Sequence, residues 1–366
     1  TAPESLIQHF AGSRVATRLK TLKDLLIDFT APESLVFSLH MKYDLQSFFG
    51  PSAMPQKLQQ SAAQIVSVLQ TLRDATPTIR YAESNAAKGV ALRVQDVMDA
   101  VGPTLMKAQP GAAAGSSTSN NGTVTLLVLD RTVDLATALL HDLNYQAMLS
   151  DLMPLQNGVY VQTYKDRAGN DQKRSTPVDE NDPFWFKHRL EHIATCMKEL
   201  PNELQALHDA NPQLAQASKM RSGGTTLSDL GEAVRSLPAF QEKEAKLSMH
   251  IDIVTRLFNT FKIQSLRDVI DLEQKIVTGE TPEGTKCNFK ELYQSLTDMA
   301  KDPQVPQQCK VRLILLLVVA EGANLSVEKR EKLLHALGLG GEENQMIESL
   351  QWFDVATVKD KKKATT

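Results

Sequence analysis

Apolar residues recur every three to four positions along most of this chain, and only a few short runs break that spacing. Leu6, Phe10, Val15, Leu19, Leu22 and Leu26 predict a helix over 4–26. Leu58, Ala62, Ile65, Val66, Leu69 and Leu72 share a face of a second helix over 56–73, bounded by Pro77. Leu92, Val97 and Val101 mark a third over 86–101. Strand signals lie between them, at 35–39 and 79–81. The small polar stretch 109–122 reads as a surface loop, and the apolar run 124–129 that follows reads as a central parallel strand buried on both faces. Alternating helix and strand predict an α/β layer for the first third. Beyond 135 the pattern is mainly α, with helices over 135–151, 184–209, 226–237, 239–262, 265–277, 289–300, 308–321 and 326–337. One strand (159–164) and a polar loop (166–182) interrupt them.

The stretch 226–262 carries two stripes. Leu227, Leu230, Val234 and Leu237 precede Pro238; Phe240, Leu247, Ile251, Val254, Phe258 and Phe261 follow it. The stripes are out of heptad phase across the proline, which removes an amide donor and crowds the preceding turn. Either a bent helical hairpin or one kinked helix satisfies the pattern. The second stripe suits packing against its own domain, as in a generic helical scaffold, or a coiled-coil surface offered to a partner. Glu244, at a seam position, lowers self-pairing.

Composition narrows the function classes. The 366 residues suggest two or three domains, and a net charge of −3 argues against nucleic acid held by bulk electrostatics. Three cysteines (Cys196, Cys287, Cys309) without a C-x-x-C pair point to a reducing compartment rather than a disulfide framework. The longest apolar run, Leu313 to Ala320, falls far short of the roughly 20 residues that span a bilayer and reads as a buried core helix. His188, Glu191 and His192 match the H-x-x-E-H pattern of inverted zinc proteases, with Cys196 one turn on, so a zinc-dependent hydrolase is the alternative chemistry. No third ligand motif follows it, and no phosphate-binding loop or nucleophile elbow occurs. The glycines at 338–341 follow a helix and read as its C-terminus, where glycine supplies positive φ. Asp130 and Asp134 flank Arg131 at the end of the buried run. With no nucleophile beside them, Arg131 and a carboxylate are expected to pin the strand to the next domain. These readings favour a protein without enzymatic chemistry, cofactor or metal.

Residues 126–164 carry a longer signal: Leu129-Asp130-Arg131, Asp134, Leu140-His141-Asp142, Tyr145-Gln146-Ala147-Met148 and Asp151-Leu152-Met153-Pro154-Leu155. In this order they resemble the signature of the SM (Sec/Munc) family. Residues 13–40 and Leu45–Phe49 extend the match upstream, toward the plasma-membrane branch; Asp182–Ile193, with Trp185 and His192 in place, extends it downstream. The resemblance implies three domains, of which this chain holds part: 1–27 a remnant of the first, 28–134 the first half of an α/β second, 135–358 a mainly helical third with its tip at 220–262, and 359–366 a tail. It places most of domain 1 and the second half of domain 2 outside the chain.

The resemblance also implies a function. Family members bind syntaxin-type and vesicle-type SNAREs and the assembled SNARE complex, and act on vesicle docking and fusion in exocytosis. They are cytoplasmic and associate peripherally with plasma membrane or vesicles through those partners. Carried over, Pro238 is a hinge between folded and extended tips. Leu247, Ile251, Val254 and Phe258 are apolar template contacts, and Arg235 is one of two basic positions, the other being Ser236 here.

Overall fold

A computed structural model describes residues 28–39, 48–50, 55–72, 77–105, 125–165, 170–212 and 227–358, with short pieces between 8 and 20. The helix expected over 4–26, the loop at 109–122, residues 220–226 of the tip and the tail lie wholly or largely outside those residues. The chain forms two compact units, 1–133 and 134–366.

In the first unit a hairpin pairs β1 (Thr30–Glu33) with β2 (Val36–Ser38). Helix α1 (Pro55–Thr71), β3 (Thr78–Tyr81), α2 (Asn85–Leu105) and β4 (Thr125–Val128) follow. β3 and β4 pair in parallel, from Thr78 opposite Thr125 to Tyr81 opposite Val128. Ala62 and Val66 of α1 and Ala87, Val90, Ala91 and Val94 of α2 close over Val128. The alanines let the helices approach closely. β4 is not the doubly buried strand expected. Leu127 is 58% exposed, because in the two-stranded sheet formed by the described residues both helices pack on the other face.

The strand is pinned, though not by Arg131. Asp130 Oδ2 accepts from the Ser84 hydroxyl and from the Ala87 N–H (3.2 Å), while Oδ1 accepts from the N–H and hydroxyl of Thr132 (2.9 and 2.6 Å). One carboxylate thereby ties the end of β4 to the first turn of α2, within a single unit. Arg131 is exposed in a short 3₁₀ turn and makes no ion pair among the described residues. Asp134 takes the Thr137 N–H at 2.9 Å and fixes a local turn.

The second unit is helical except for one hairpin: α3 (Tyr145–Leu152), β5 (Val159–Lys165), β6 (Asp171–Pro177), α4 (Pro183–His188), α5 (Ile193–Ala210), α6 (Leu227–Ile263), α7 (Leu266–Thr278), α8 (Phe289–Met299), α9 (Gln307–Glu321), α10 (Val327–Leu337) and α11 (Gly341–Ser349). Four expectations change. The helix predicted over 135–151 begins only at Tyr145, where Asn144 caps it by accepting from the Ala147 N–H at 2.8 Å. The loop predicted over 166–182 contains β6, a polar and exposed strand paired along its length with β5. The helix predicted over 184–209 is two helices broken at Arg189–His192. Gly340 does not merely follow a helix: its N–H donates to Glu343 (2.7 Å) and opens α11, while Gly338 ends α10 at φ +69°.

Two apolar cores hold the unit together. One gathers α7 to α11 around α9, whose Leu313, Ile314, Leu316, Leu317 and Val318 are all buried. A helix apolar all round belongs in a core. The other joins α3, α4 and α5 to α6. Between Asp134 and α3 the chain is held by the buried Glu273 of α7, which accepts the His141 N–H (3.0 Å) and lies 2.6 Å from its Nδ1. Burial alone would lower the imidazole, but bonding to Cys309 and Glu273 raises it to about 9. Arg312 of α9 grips Asp151 with both guanidinium nitrogens.

Candidate protein-docking helix

α6 runs unbroken through Pro238 for 37 residues, about 55 Å at the helical rise. Of the two arrangements left open, the continuous helix is the one present. Its halves differ. Pro238 and Ala239 are exposed, and the side chains of 227–236, Arg235 among them, lie outside the described residues. From Phe240 onward one flank is packed: Phe240, Leu247, Met249, His250, Ile253, Val254 and Leu257 are all buried.

This corrects the stripe. Leu247 and Val254, expected as partner contacts, are 1% and 2% exposed and belong to the core with α3 and α5. The physical reason is a second apolar row, Met249-Ile253-Leu257, that adjoins the row Ile251-Val254-Phe258 around the helix. The helix seats between the two rows. Ile251, which still packs against that core, and Phe258 are only partly buried and lie at the edge of a polar flank of Asp252, Thr255, Arg256, Asn259 and Lys262. Lys262 lies 4.3 Å from the Phe258 ring centroid, and Phe258 stacks on Phe261.

Polar groups missed in the sequence hold this half in place. The His250 ring is wholly buried, sharing a 2.8 Å hydrogen bond through Nδ1 with the Tyr145 hydroxyl. Its Nε2 lies 3.3 Å from Asp182 Oδ2, an ion-pair distance without a well-directed hydrogen bond. Asp182 Oδ1 meanwhile caps α4, taking the N–H groups of Phe184 and Trp185. Burial pushes Asp182 up, but His250 and those amides outweigh it and hold the carboxyl below its usual range. Burial also raises the Tyr145 phenol. Trp185 stacks on His250, with centroids 6.4 Å apart and planes 12° apart. On the same helix Asp252 accepts from Tyr160 of β5 at 2.6 Å, and Glu244 meets His208 of α5 at 2.9 Å. A histidine among apolar neighbours, at i, i+3, i+4, i+7 with Ile253, Val254 and Leu257, was the available signal.

The zinc pattern does not assemble. α4 ends at His188, so the two imidazoles do not share a helix face; His192 instead caps α5, its Nδ1 accepting the Ala194 N–H at 3.1 Å. His188 is clasped by carboxylates at both nitrogens, Glu191 at 2.5 Å and Glu203 at 2.9 Å. Cys196 comes near His188 and Glu191, but burial pushes its thiol up to about 12 and it contacts the His188 carbonyl oxygen. These contacts describe a satisfied core histidine.

The chain is 28% identical over 363 residues to the protein transport protein sec1 of Dictyostelium discoideum, covering 98% of this chain and 58% of that protein. It is 26% identical over 374 residues to the SNARE-interacting protein KEULE of Arabidopsis thaliana, covering 99% of this chain and 54% of that one. It thus spans a little over half the length of these curated relatives. Among solved structures, the Unc18–syntaxin 1 complex from Monosiga brevicollis has the same fold, with a TM-score of 0.74 over 100% of this chain and 63% of the matched chain at 23% identity. The Sec1 family model matches residues 1–365, and the chain belongs to the Sec1 family.

Proposed function

We propose that this chain binds syntaxin-type and vesicle-type SNAREs, and their assembled complex, as part of the machinery of vesicle fusion, with α6 as a docking helix. One observation carries the reading: a long preformed helix keyed to its domain along one flank, with Ile251 and Phe258 left at the edge of the other. It is supported by the family and by relatives whose names place them in protein transport and SNARE interaction. Ordering a disordered partner costs about 1–2 kcal/mol of backbone entropy per residue. A rigid template offsets part of that cost and sets register. No covalent chemistry is needed, and none of the groups described is poised as a nucleophile. No helix among the described residues is long and apolar enough to cross a membrane; peripheral attachment at the cytoplasmic face, through SNAREs, suits this role.

In this reading Ile251 and Phe258 contact the partner, Arg235 adds a basic contact, and Pro238 is the hinge. Leu247 and Val254 support the helix from beneath. Ile251→Glu should weaken SNARE-bundle binding while the unit stays folded, whereas Leu247→Arg should unfold it. Equal affinity for Ile251→Glu and the parent in calorimetric titration would refute the docking surface.

A further inference from the structure

We infer that His250 is a positioning residue which, with Tyr145 and Asp182, fixes the rotation of α6 about its own axis and so decides which flank is offered to a partner. The inference deepens the docking reading, and depends on it only for the effect on binding.

The sequence of α6 does not by itself choose a seam. The row Ile251, Val254, Phe258 and the row Met249, Ile253, Leu257 are similarly apolar and adjoin each other around the helix, Ile253 and Leu257 each lying one residue, about 100°, from Val254 and Phe258. The packing present seats the helix between the rows: it buries Met249, Ile253 and Leu257 together with Leu247 and Val254, and leaves Ile251 and Phe258 at the edge. What separates the two seatings is polar. In the present one, His250 enters a pocket formed by the Tyr145 hydroxyl, the Asp182 carboxylate and the Trp185 face, all three from residues that are themselves buried. The carboxylate favours the proton on Nε2, which leaves Nδ1 to accept from Tyr145. A turn of one residue would withdraw His250 and leave Asp182 Oδ2 and the Tyr145 hydroxyl buried without that partner, at the cost such orphaned groups carry. It would also bury Ile251 and Phe258 and remove the docking edge. A single buried polar side chain that specifies register, at some expense in stability, has a precedent in coiled-coil seams.

The test uses paired spin labels at Thr255 of α6 and Thr195 of α5, both exposed, in the chain carrying Cys287→Ser; the other two cysteines are buried. The parent should give one narrow distance. His250→Leu should keep its helix content, melt at a lower temperature because Tyr145 and Asp182 lose their partner, and show a second distance. Affinity for an assembled SNARE bundle should fall about fivefold, because only a fraction of molecules presents the competent flank. Tyr145→Phe, which keeps the ring, should shift the same populations to a smaller extent, and it decides the matter if His250→Leu does not fold. A single parent-like distance in His250→Leu, or in Tyr145→Phe where that variant decides, overturns the inference. Failure of the parent to bind SNAREs would refute the docking reading alone and leave the distance result standing.

Discussion

Gly322 sits directly beneath the chain's return past α11: a Cβ built on it would lie 1.7 Å from the carbonyl oxygen of Ala356. Backbone cannot yield as a side-chain tip can. Gly322→Ala should therefore destabilise the second unit by about 1–3 kcal/mol, the usual range for overpacking, as a lower denaturant midpoint at unchanged slope. His141 supplies a pH test. Its folded pKa is raised from 6.5 to about 9. The pair with Glu273 therefore contributes fully below about 6.5, and its contribution is lost as pH rises through 9. Melting temperature should fall between pH 6.5 and 9.5 in the parent, and His141→Asn should flatten that decline; equal slopes would refute the assignment. Glu273→Gln, which leaves His141 with only the more distant Asp151 carboxylate (3.8 Å) and Cys309, should lower the melting temperature at pH 6.5 and flatten its fall toward pH 9.5. Neither partner was legible in the sequence as a pair, because 132 positions separate them; the histidine stood out only through the family signature.

Among the elements, α6 shows how far pattern reading extends. Its existence, its proline and its amphipathic character follow from the spacing of Leu247, Ile251, Val254 and Phe258. The buried face does not, because a neighbouring row fits the period equally well and a polar tether chooses between them. Other misreadings have local causes. β6 is polar because it is exposed along nearly all of its length, so alternation never marks it. Leu139 and Leu140 suggest a helix, yet they pack against the core from turns. α11 hides behind two glycines whose helix start is supplied by Glu343. Pro238 makes a prediction at this scale. Proline in a helix interior costs about 3 kcal/mol relative to alanine. Pro238→Ala should then slow hydrogen exchange across 227–240 and raise affinity for the SNARE bundle by favouring the straight form. Faster exchange or weaker binding would remove Pro238 from the role of hinge.

At the scale of the molecule, the α/β and helical parts were legible because short strand signals alternate with 3.6-period helices before residue 135 and give way to mainly helical periodicity beyond it. The proposed docking role rests on the family signature at 126–164 rather than on any reactive group. The structure gives part of that signature a physical task. Tyr145 reaches His250, His141 reaches Glu273, and Asp151 reaches Arg312, so the motif fastens α6, α7 and α9. The most direct measurement is a calorimetric titration of an assembled four-helix SNARE bundle into the parent chain and into Ile251→Glu, with melting temperatures taken alongside. The account predicts saturable binding by the parent and at least a tenfold loss, about 1.4 kcal/mol, in a variant that remains folded at the titration temperature. Equal affinity in the two would contradict it.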